Sequence, residues 1–196
     1  MLKAEVHLCK DKKMAKIVKK VGPHMIKVRR GRYESLVMAI ITQQISGSAA
    51  RSITRRFREA YRPARFPKPI DVANSTYKKL KSCGLSDMKI RYIKNLSKNI
   101  ATNNLRLASL SKLSDERVIE ILCMQDGIGR WTAEMFLIFT LGRSDIMPAG
   151  DLGVRKGVKI LYSLSEMPSE KRILEIAEKW RPYRTAATWY LWEFQR

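Results

Sequence analysis

The most informative residues of this 196-residue chain are Asp126-Gly127-Ile128-Gly129-Arg130-Trp131-Thr132-Ala133. They separate a helical pattern that ends near Cys123 from another that begins near Arg130. Two glycines around one apolar residue allow a tight turn whose backbone N–H groups point outward. Together with the positive end of the following helix, such a turn can bind an anion such as a DNA phosphate. An ordinary helix–helix turn with glycine caps is the alternative interpretation.

A second segment of interest is Met147-Pro148-Ala149-Gly150-Asp151-Leu152-Gly153-Val154-Arg155-Lys156-Gly157. Asp151 stands twenty-two residues after Gly129 and directly ahead of a predicted helix. Its simplest role is that of an N-cap. A helix N-terminus also favours a charged carboxylate, and a carboxylate kept charged in a cleft can stabilise a developing sugar cation. Both roles stay open at this point.

Apolar residues recur with helical spacing along almost the whole chain. Ser86 and Ser114 stand where helices should begin, and Pro182 is expected in the first turn of the last helix. We find neither the alternation of a strand nor a repeat of fixed period. The sequence therefore predicts an all-α protein of about ten helices. The periodic segments are 14–21, 36–41, 49–61, 90–100, 114–122, 133–141, 173–180 and 187–194.

The charge is strongly basic, with 39 Lys and Arg against 18 Asp and Glu, a net charge of +21. Such an excess repels itself unless a polyanion neutralises it, so nucleic acid is the first candidate partner and an anionic membrane surface the second. Residues 1–34 hold eleven basic and three acidic residues, and residues 51–68 hold seven and one. For any single lysine, a solvated helix face is the alternative explanation.

Cysteine and histidine content excludes several classes of protein. The three cysteines, Cys9, Cys83 and Cys123, form no C-x-x-C pair, and the only histidines are His7 and His24. A disulfide framework, a four-cysteine iron–sulfur cluster and a histidine-rich zinc site are therefore not expected. Residues 1–20 lack the apolar core of a signal peptide, and the longest apolar stretch, 135–141, is too short for a bilayer. We expect an intracellular protein, cytoplasmic or nucleoid-associated in a prokaryote and nuclear in a eukaryote.

The two segments together resemble the helix–hairpin–helix (HhH-GPD) superfamily of base-excision DNA glycosylases. Within it, the chain is most similar to the 3-methyladenine DNA glycosylase II, or AlkA-type, branch. Residues 33–46 resemble the helix that leads into a loop probing the DNA stack, residues 84–89 a second family turn, and residues 180–192 the C-terminal helix. The resemblance covers about residues 30–195.

The resemblance implies two helical lobes around a cleft that receives a flipped nucleotide. We expect residues 1–34 plus 130–196 to form a terminal lobe and residues 35–129 to form a middle lobe that ends in the hairpin. The implied partner is double-stranded DNA containing damaged bases, bound by a monomer without a membrane. No cofactor is implied and no metal is assigned, although the hairpin carbonyls could hold a monovalent cation.

The resemblance also assigns roles to single residues. Asp151 matches the aspartate that assists cleavage of the N-glycosidic bond. Trp131 stands where bifunctional members carry a Schiff-base lysine, so the chain should be a monofunctional hydrolase without lyase activity. Trp131 and Trp192 match pocket positions, and Met135 and Leu152 stand at pocket positions where the branch carries tyrosines. Core packing is the alternative for both tryptophans.

The remaining expected contacts are with the DNA backbone and stack. Gln44 matches the residue that fills the gap left by the flipped base, and a capping or surface amide is its alternative role. The hairpin departs from the family at Gln125-Asp126, where a negative charge should weaken a phosphate contact. The expected phosphate-binding residues are Gly127, Ile128, Gly129, Arg130 and Thr132.

The expected function is base excision repair of alkylated purines, such as 3-methyladenine and 7-methylguanine, by base flipping and hydrolysis. An alkylated purine is cationic, so it leaves readily and stacks well on Trp131. Whether Asp151 acts as a charge or as a base is open. Three alternatives remain: a glycosylase for deaminated or oxidised purines, a non-catalytic DNA-binding module, which would not need Asp151, and a membrane-surface protein. The last is disfavoured because the helix at 10–21 has no aromatic residue.

Overall fold

The computed structural model describes residues 3–195. Within this range the chain forms twelve α-helices and no β-strand, which confirms the predicted all-α class. The count exceeds ten because α1, α5 and α6 have only five or six residues, too few to show a periodicity. The helices are α1 (Lys3–Leu8), α2 (Lys12–Val21), α3 (Arg32–Thr42), α4 (Gly47–Glu59), α5 (Pro69–Ala73), α6 (Tyr77–Ser82), α7 (Asp87–Ala101), α8 (Asp115–Cys123), α9 (Arg130–Phe136), α10 (Leu152–Tyr162), α11 (Glu170–Ala177) and α12 (Arg184–Glu193).

Two of the predicted helix starts are confirmed and one is wrong. Ser86 caps α7 and Ser114 caps α8, each through its hydroxyl oxygen and the N–H three residues on. Pro182, however, lies before α12 rather than in its first turn. The Tyr183 N–H donates to the Trp180 carbonyl (2.8 Å), which closes a turn at these residues. The helix therefore begins only at Arg184, whose guanidinium binds Asp145 at 2.8 Å.

The chain divides into two compact units, Met1–Val28 with Leu137–Arg196, and Arg29–Phe136. We call them the terminal unit and the middle unit. Their boundaries fall six to seven residues from the lobe boundaries expected at 34/35 and 129/130, so the lobe division stays a prediction. The second boundary coincides with the point where α9 gives way to a π-helical turn, Leu137–Leu141.

The core of the terminal unit lies among α2, α10 and α12. Its largest side chains, Trp180 and Tyr190, are completely buried. The Tyr190 hydroxyl donates to the Gly22 carbonyl at 2.8 Å, so the polar end of this side chain is satisfied inside the core. Helix α3 has the same central place in the middle unit, where it packs against α4, α7 and α9. Its buried residues are Leu36, Val37, Ile40 and Ile41.

No helix within residues 3–195 combines the length and the apolar character needed to cross a membrane.

Asp11 connects three segments of the terminal unit. Its carboxylate caps α2 by accepting the Lys13 N–H (2.9 Å), and it also accepts the Tyr162 hydroxyl and the Trp180 indole N–H (3.1 Å). The Lys179 ammonium lies 2.9 Å away, and the Asp11 side chain is only 7% exposed. Burial by itself would raise the pKa of Asp11, but these hydrogen bonds outweigh it and lower the pKa to about 2.

The first prediction concerns this carboxylate. Asp11→Ala should lower the free energy of unfolding by about 2–4 kcal/mol, because a cap is worth about 1 kcal/mol and buried donors without an acceptor cost about 1–3 kcal/mol. Because folding lowers the pKa of Asp11, the stabilisation by its charge is present above about pH 4 and is lost as the pH falls towards 2. Urea unfolding of wild type and Asp11→Asn should therefore converge across this pH interval.

Ser114→Ala is the control for this measurement, because Ser114 is an exposed helix cap without a titrating group. Its cost should be about 1 kcal/mol at every pH. A constant difference between wild type and Asp11→Asn from pH 5 to pH 2 would contradict the prediction.

Candidate functional site

The glycine turn joins α8 and α9 as the sequence predicts. The Ile128 N–H donates to the Gln125 carbonyl (3.1 Å), and the Ala133 N–H donates to the Gly129 carbonyl (3.0 Å) as α9 begins. Ile128 is buried, whereas Gly129 lies at the surface. The apolar residue thus anchors a hairpin in which Gly129 lies at the surface. The first N–H groups of α9 have no carbonyl one turn earlier in the helix, so the end of the hairpin suits an anion.

Gly127 is required at its position for two reasons. Its φ angle is +79°, and a Cβ atom here would lie 2.3 Å from Cδ2 of Tyr92 on α7. The same helix binds the two residues that depart from the family pattern. Asn95 donates to the Asp126 carboxylate (3.0 Å), and Asn99 donates to the side-chain carbonyl of Gln125 (2.9 Å). Gln125 and Asp126 therefore hold the hairpin against α7, which the sequence alone did not reveal.

Two of the expected phosphate-binding residues have side chains that are engaged or buried within the protein. The Arg130 guanidinium binds Glu116 at 2.8 Å and Glu134 at 3.2 Å. Its hydrogen bond lowers the pKa of Glu116. The Thr132 residue is buried. These side chains leave the backbone N–H groups of Arg130 and Thr132 as the expected donors, and their contact with phosphate stays a prediction.

The two pocket candidates on α9 lie one turn apart. Trp131 is 52% exposed, so core packing is excluded as the role of this ring. Met135 is partly buried four residues later, on the same face of the helix. Trp131 and Met135 belong to the middle unit, whereas Asp151, Leu152 and Trp192 belong to the terminal unit.

The loop after α3 presents Gln44. This residue is exposed and has a φ angle of +51°, and the C-cap of the preceding helix α3 is Gln43, so Gln44 is not that cap. Its neighbour Gln43 donates to the Gly127 carbonyl (2.8 Å), which ties the loop to the hairpin. The Lys89 ammonium donates to the Ile41 and Gln43 carbonyls at 2.8 and 2.7 Å. Burial lowers the pKa of Lys89. The sequence indicated neither Gln43 nor Lys89 as part of this arrangement.

Asp151 is the N-cap of α10, as predicted, and has a second donor. Its Oδ1 accepts the Val154 N–H at 2.8 Å and the Trp192 indole N–H at 2.9 Å. The Trp192 ring stacks on Phe139, with centroids 6.0 Å apart and planes 16° from parallel. Trp192 is thus held in a polar contact with the candidate catalytic carboxylate. Leu152, the next residue, is 56% exposed.

Gly153 is a residue of this site that the sequence did not single out. A Cβ atom at Gly153 would lie 2.9 Å from Cδ1 of Trp192 and 3.0 Å from Oδ1 of Asp151. A side chain here would therefore collide with both partners of the hydrogen bond. Only the motif G-D-L-G at 150–153 could have pointed to Gly153, and it does not reveal the indole above the backbone.

This geometry yields a second prediction. Gly153→Ala should break the Trp192–Asp151 hydrogen bond, because the added methyl group occupies space that the indole needs. The indole ¹H–¹⁵N cross-peak of Trp192 should then move upfield in an NMR spectrum. Gly129→Ala is the control, because a Cβ atom there meets nothing within 4 Å. An unmoved Trp192 cross-peak in folded Gly153→Ala protein would refute the prediction.

Comparison with known proteins gives the same family as the motifs. Residues 37–182 match the model of the HhH-GPD superfamily base excision DNA repair protein. The DNA-3-methyladenine glycosylase 1 of Schizosaccharomyces pombe is 36% identical over 198 residues, which cover 98% of this chain and 87% of that protein.

Solved structures that resemble this chain belong to the same kind of protein as its sequence relatives. The S. pombe 3-methyladenine DNA glycosylase Mag1, in complex with abasic DNA, is 37% identical with a TM-score of 0.85 over 97% of this chain and 95% of that one. A DNA-3-methyladenine glycosidase from Bacillus halodurans is 30% identical with a TM-score of 0.89, covering 98% of this chain and 88% of that one. With its glycine hairpin and its capping Asp151, the chain belongs to the HhH-GPD superfamily of base excision DNA repair proteins.

Proposed function

We propose that this protein is a monofunctional DNA glycosylase of the AlkA type that hydrolyses the N-glycosidic bond of alkylated purines in duplex DNA. The observation that carries the proposal is the Asp151 carboxylate, held at the start of α10 by the Val154 N–H and the Trp192 indole. Support also comes from relatives named for 3-methyladenine and from a similar structure that holds abasic DNA, the product of base release. The monomeric state and the intracellular compartment stay predictions.

The chemistry needs little more than a fixed negative charge. A base in a duplex is out of reach until it is flipped, which costs a few kcal/mol and less for a damaged pair. Alkylation at N3 or N7 makes the purine cationic, so the bond to the sugar is already weakened. As the base leaves, positive charge develops on the sugar, and Asp151 stabilises it or takes a proton from the attacking water.

The exposed side chains fit contacts with the base. The half-exposed Trp131 ring can stack on a cationic purine, which an electron-rich indole attracts. Met135 adds apolar surface one turn from Trp131, and Leu152 adds it beside Asp151, each where the branch carries a tyrosine. Shape and stacking are therefore proposed to select the lesion more than tyrosine hydroxyls. The hydrogen bond from Trp192 to Asp151 gives that ring a second task, which is to fix the carboxylate.

The hairpin and the Gln44 loop fit contacts with the rest of the duplex. Backbone N–H groups at 127–132 are proposed to bind a phosphate, a contact that positions DNA without reading its sequence. The exposed Gln44 is proposed to fill the gap in the base stack. Because Gln43 donates to the Gly127 carbonyl, the two elements keep a fixed spacing. The phosphate and the wedge would thus engage the DNA together.

The third prediction tests Asp151. Asp151→Asn keeps Oδ1 as an acceptor for both Val154 and Trp192, so the cap and the fold should survive. The charge is lost, so single-turnover release of 3-methyladenine or 7-methylguanine should fall by roughly 10²–10⁴-fold. Affinity for DNA should hold or rise, because a negative charge has been removed.

Glu166→Gln is the matched control, since it removes the same charge from the exposed loop between α10 and α11. Its base release should equal that of wild type, and its melting temperature should stay within a few degrees. Near-normal release by a folded Asp151→Asn protein would return Asp151 to the role of a helix cap alone.

The fourth prediction concerns the absence of lyase activity. With Trp131 at the Schiff-base position, the wild-type protein should leave intact abasic sites that break only on later treatment with alkali. Trp131→Lys should not simply create a lyase, because a Schiff-base amine needs a depressed pKa and an aligned sugar carbon. Gel electrophoresis of a methylated duplex, with and without alkali, measures strand breakage by the wild type and by Trp131→Lys. Nicking by wild type, or a complex trapped by borohydride, would contradict the monofunctional assignment.

A further inference from the structure

A groove of about 560 Å³ runs along one face of α4 and the turn that follows it in the middle unit. Five arginines line it against a single acidic residue, Glu59. The remaining lining residues are small and uncharged. The five arginines are Arg51, Arg55, Arg58, Arg62 and Arg65, and we call this surface the arginine groove.

The arginines share a face because of their spacing. Steps of four, three and four residues from Arg51 to Arg62 follow one side of a helix. The turn continues past the end of α4, since the Arg62 N–H donates to the Glu59 carbonyl at 3.2 Å. At 1.5 Å per residue, the row is about 16 Å long, which is enough for several phosphates of one DNA strand.

Three of the five arginines of the arginine groove have no carboxylate partner among the residues that the structure describes. Arg58 binds Glu34 at 2.7 Å, and Arg55 lies 3.8 Å from Glu59. Arg51, Arg62 and Arg65 form no ion pair with any carboxylate of residues 3–195, and all three are exposed. Their charges are therefore available to an external anion.

The backbone beneath these arginines is fixed by aromatic packing. Phe57 is completely buried and contacts the rings of Tyr61 and Phe66, with centroids 5.3 and 5.9 Å away. The Tyr61 hydroxyl and the Ser75 hydroxyl are hydrogen-bonded at 2.7 Å. Tyr61 and Phe66 flank Arg62 and Arg65 in the chain, so the turn that carries these arginines is held in place before any partner binds. Such preorganisation reduces the entropic cost of binding.

We propose that the arginine groove binds the sugar–phosphate backbone of duplex DNA as a second contact, separate from the hairpin and the Gln44 loop. This rests on the proposed function in that DNA is the partner. Guanidinium groups bind phosphate oxygens in a bidentate manner. A contact made with phosphates rather than with base edges carries no sequence information, so we expect binding in the groove to be independent of sequence.

Other macromolecules fit the arginine groove less well. A protein interface or a membrane surface would call for aromatic or large aliphatic anchors, and the described residues of the lining include none. The location also favours DNA. Helix α4 begins only four residues after Gln43, which contacts the hairpin, so the groove leads away from the loop proposed to enter the base stack.

The fifth prediction compares two variants that each lose two positive charges from the middle unit. Arg62→Gln/Arg65→Gln alters the groove, and Arg106→Gln/Lys112→Gln alters exposed cations elsewhere. Fluorescence anisotropy with an undamaged 30-base-pair duplex is measured as a function of KCl concentration. The groove variant should bind about 5–30-fold more weakly at about 0.1 M KCl, and its log–log salt slope should shrink by about 1–2. The control should keep the wild-type slope.

Equal behaviour of the two variants would overturn the proposal, because it would show that only net charge matters. A second result would also overturn it: the groove variant keeps the wild-type salt slope for DNA but no longer binds vesicles of phosphatidylserine and phosphatidylcholine. Matching melting temperatures ensure that both variants are folded.

A separate arm distinguishes this proposal from the proposed function. Single-turnover base release at saturating protein should be the same in the groove variant and the wild type, since no groove residue is proposed to touch the lesion. If the wild type released no alkylated base but the groove variant still lost its salt slope, the function would be wrong and the DNA contact right. If the groove variant released the base more slowly than the wild type even at saturating protein, the claim that the groove is separate from the lesion site would be wrong.

Discussion

One oxygen atom, Oδ1 of Asp151, accepts both the backbone N–H that starts α10 and the indole N–H that comes from α12. The start of one helix and the position of another are thereby tied to a single carboxylate. The same contact sets the identity of Gly153, because any Cβ atom there would lie within 3.1 Å of the indole and the carboxylate. A group needed for chemistry thus also determines how its surroundings pack.

The hairpin, like Asp151, is positioned by contacts with other helices and loops. Its turn depends on the close approach of Gly127 to Tyr92, and the asparagines of α7 bind the residues before it. The Gly127 carbonyl in turn accepts the Gln43 amide, so a loop more than eighty residues earlier is positioned by the same turn. The buried side of the hairpin is therefore fixed by contacts within the middle unit, which leaves the exposed side at Gly129 accessible to a ligand.

Sequence periodicity and cap residues predicted the helical class and three of the helix starts, because both are local properties. Ser86, Ser114 and Asp151 are caps for reasons visible within four residues. Pro182 was misplaced because the chain makes a turn at 180–183 before α12 begins, and the Arg184 N–H then donates to the distant Asp145 carboxylate. Gln43, Gly153 and the asparagines of α7 act through contacts between elements far apart in sequence. The hairpin and aspartate motifs indicated that a site exists, but they did not indicate which residues from other elements position it.

The arginines that contribute to the net charge of +21 fall into two groups, those with a carboxylate partner and those without one. Arg130, Arg181 and Arg184 bind carboxylates within the protein, and these pairs join segments that lie apart in the sequence. Arg51, Arg62 and Arg65 have no such partner within residues 3–195 and repel one another across a shared groove. That repulsion is a cost to folding that the protein itself does not offset. A bound polyanion neutralises these charges and relieves the repulsion. The relief contributes favourably to the free energy of binding DNA.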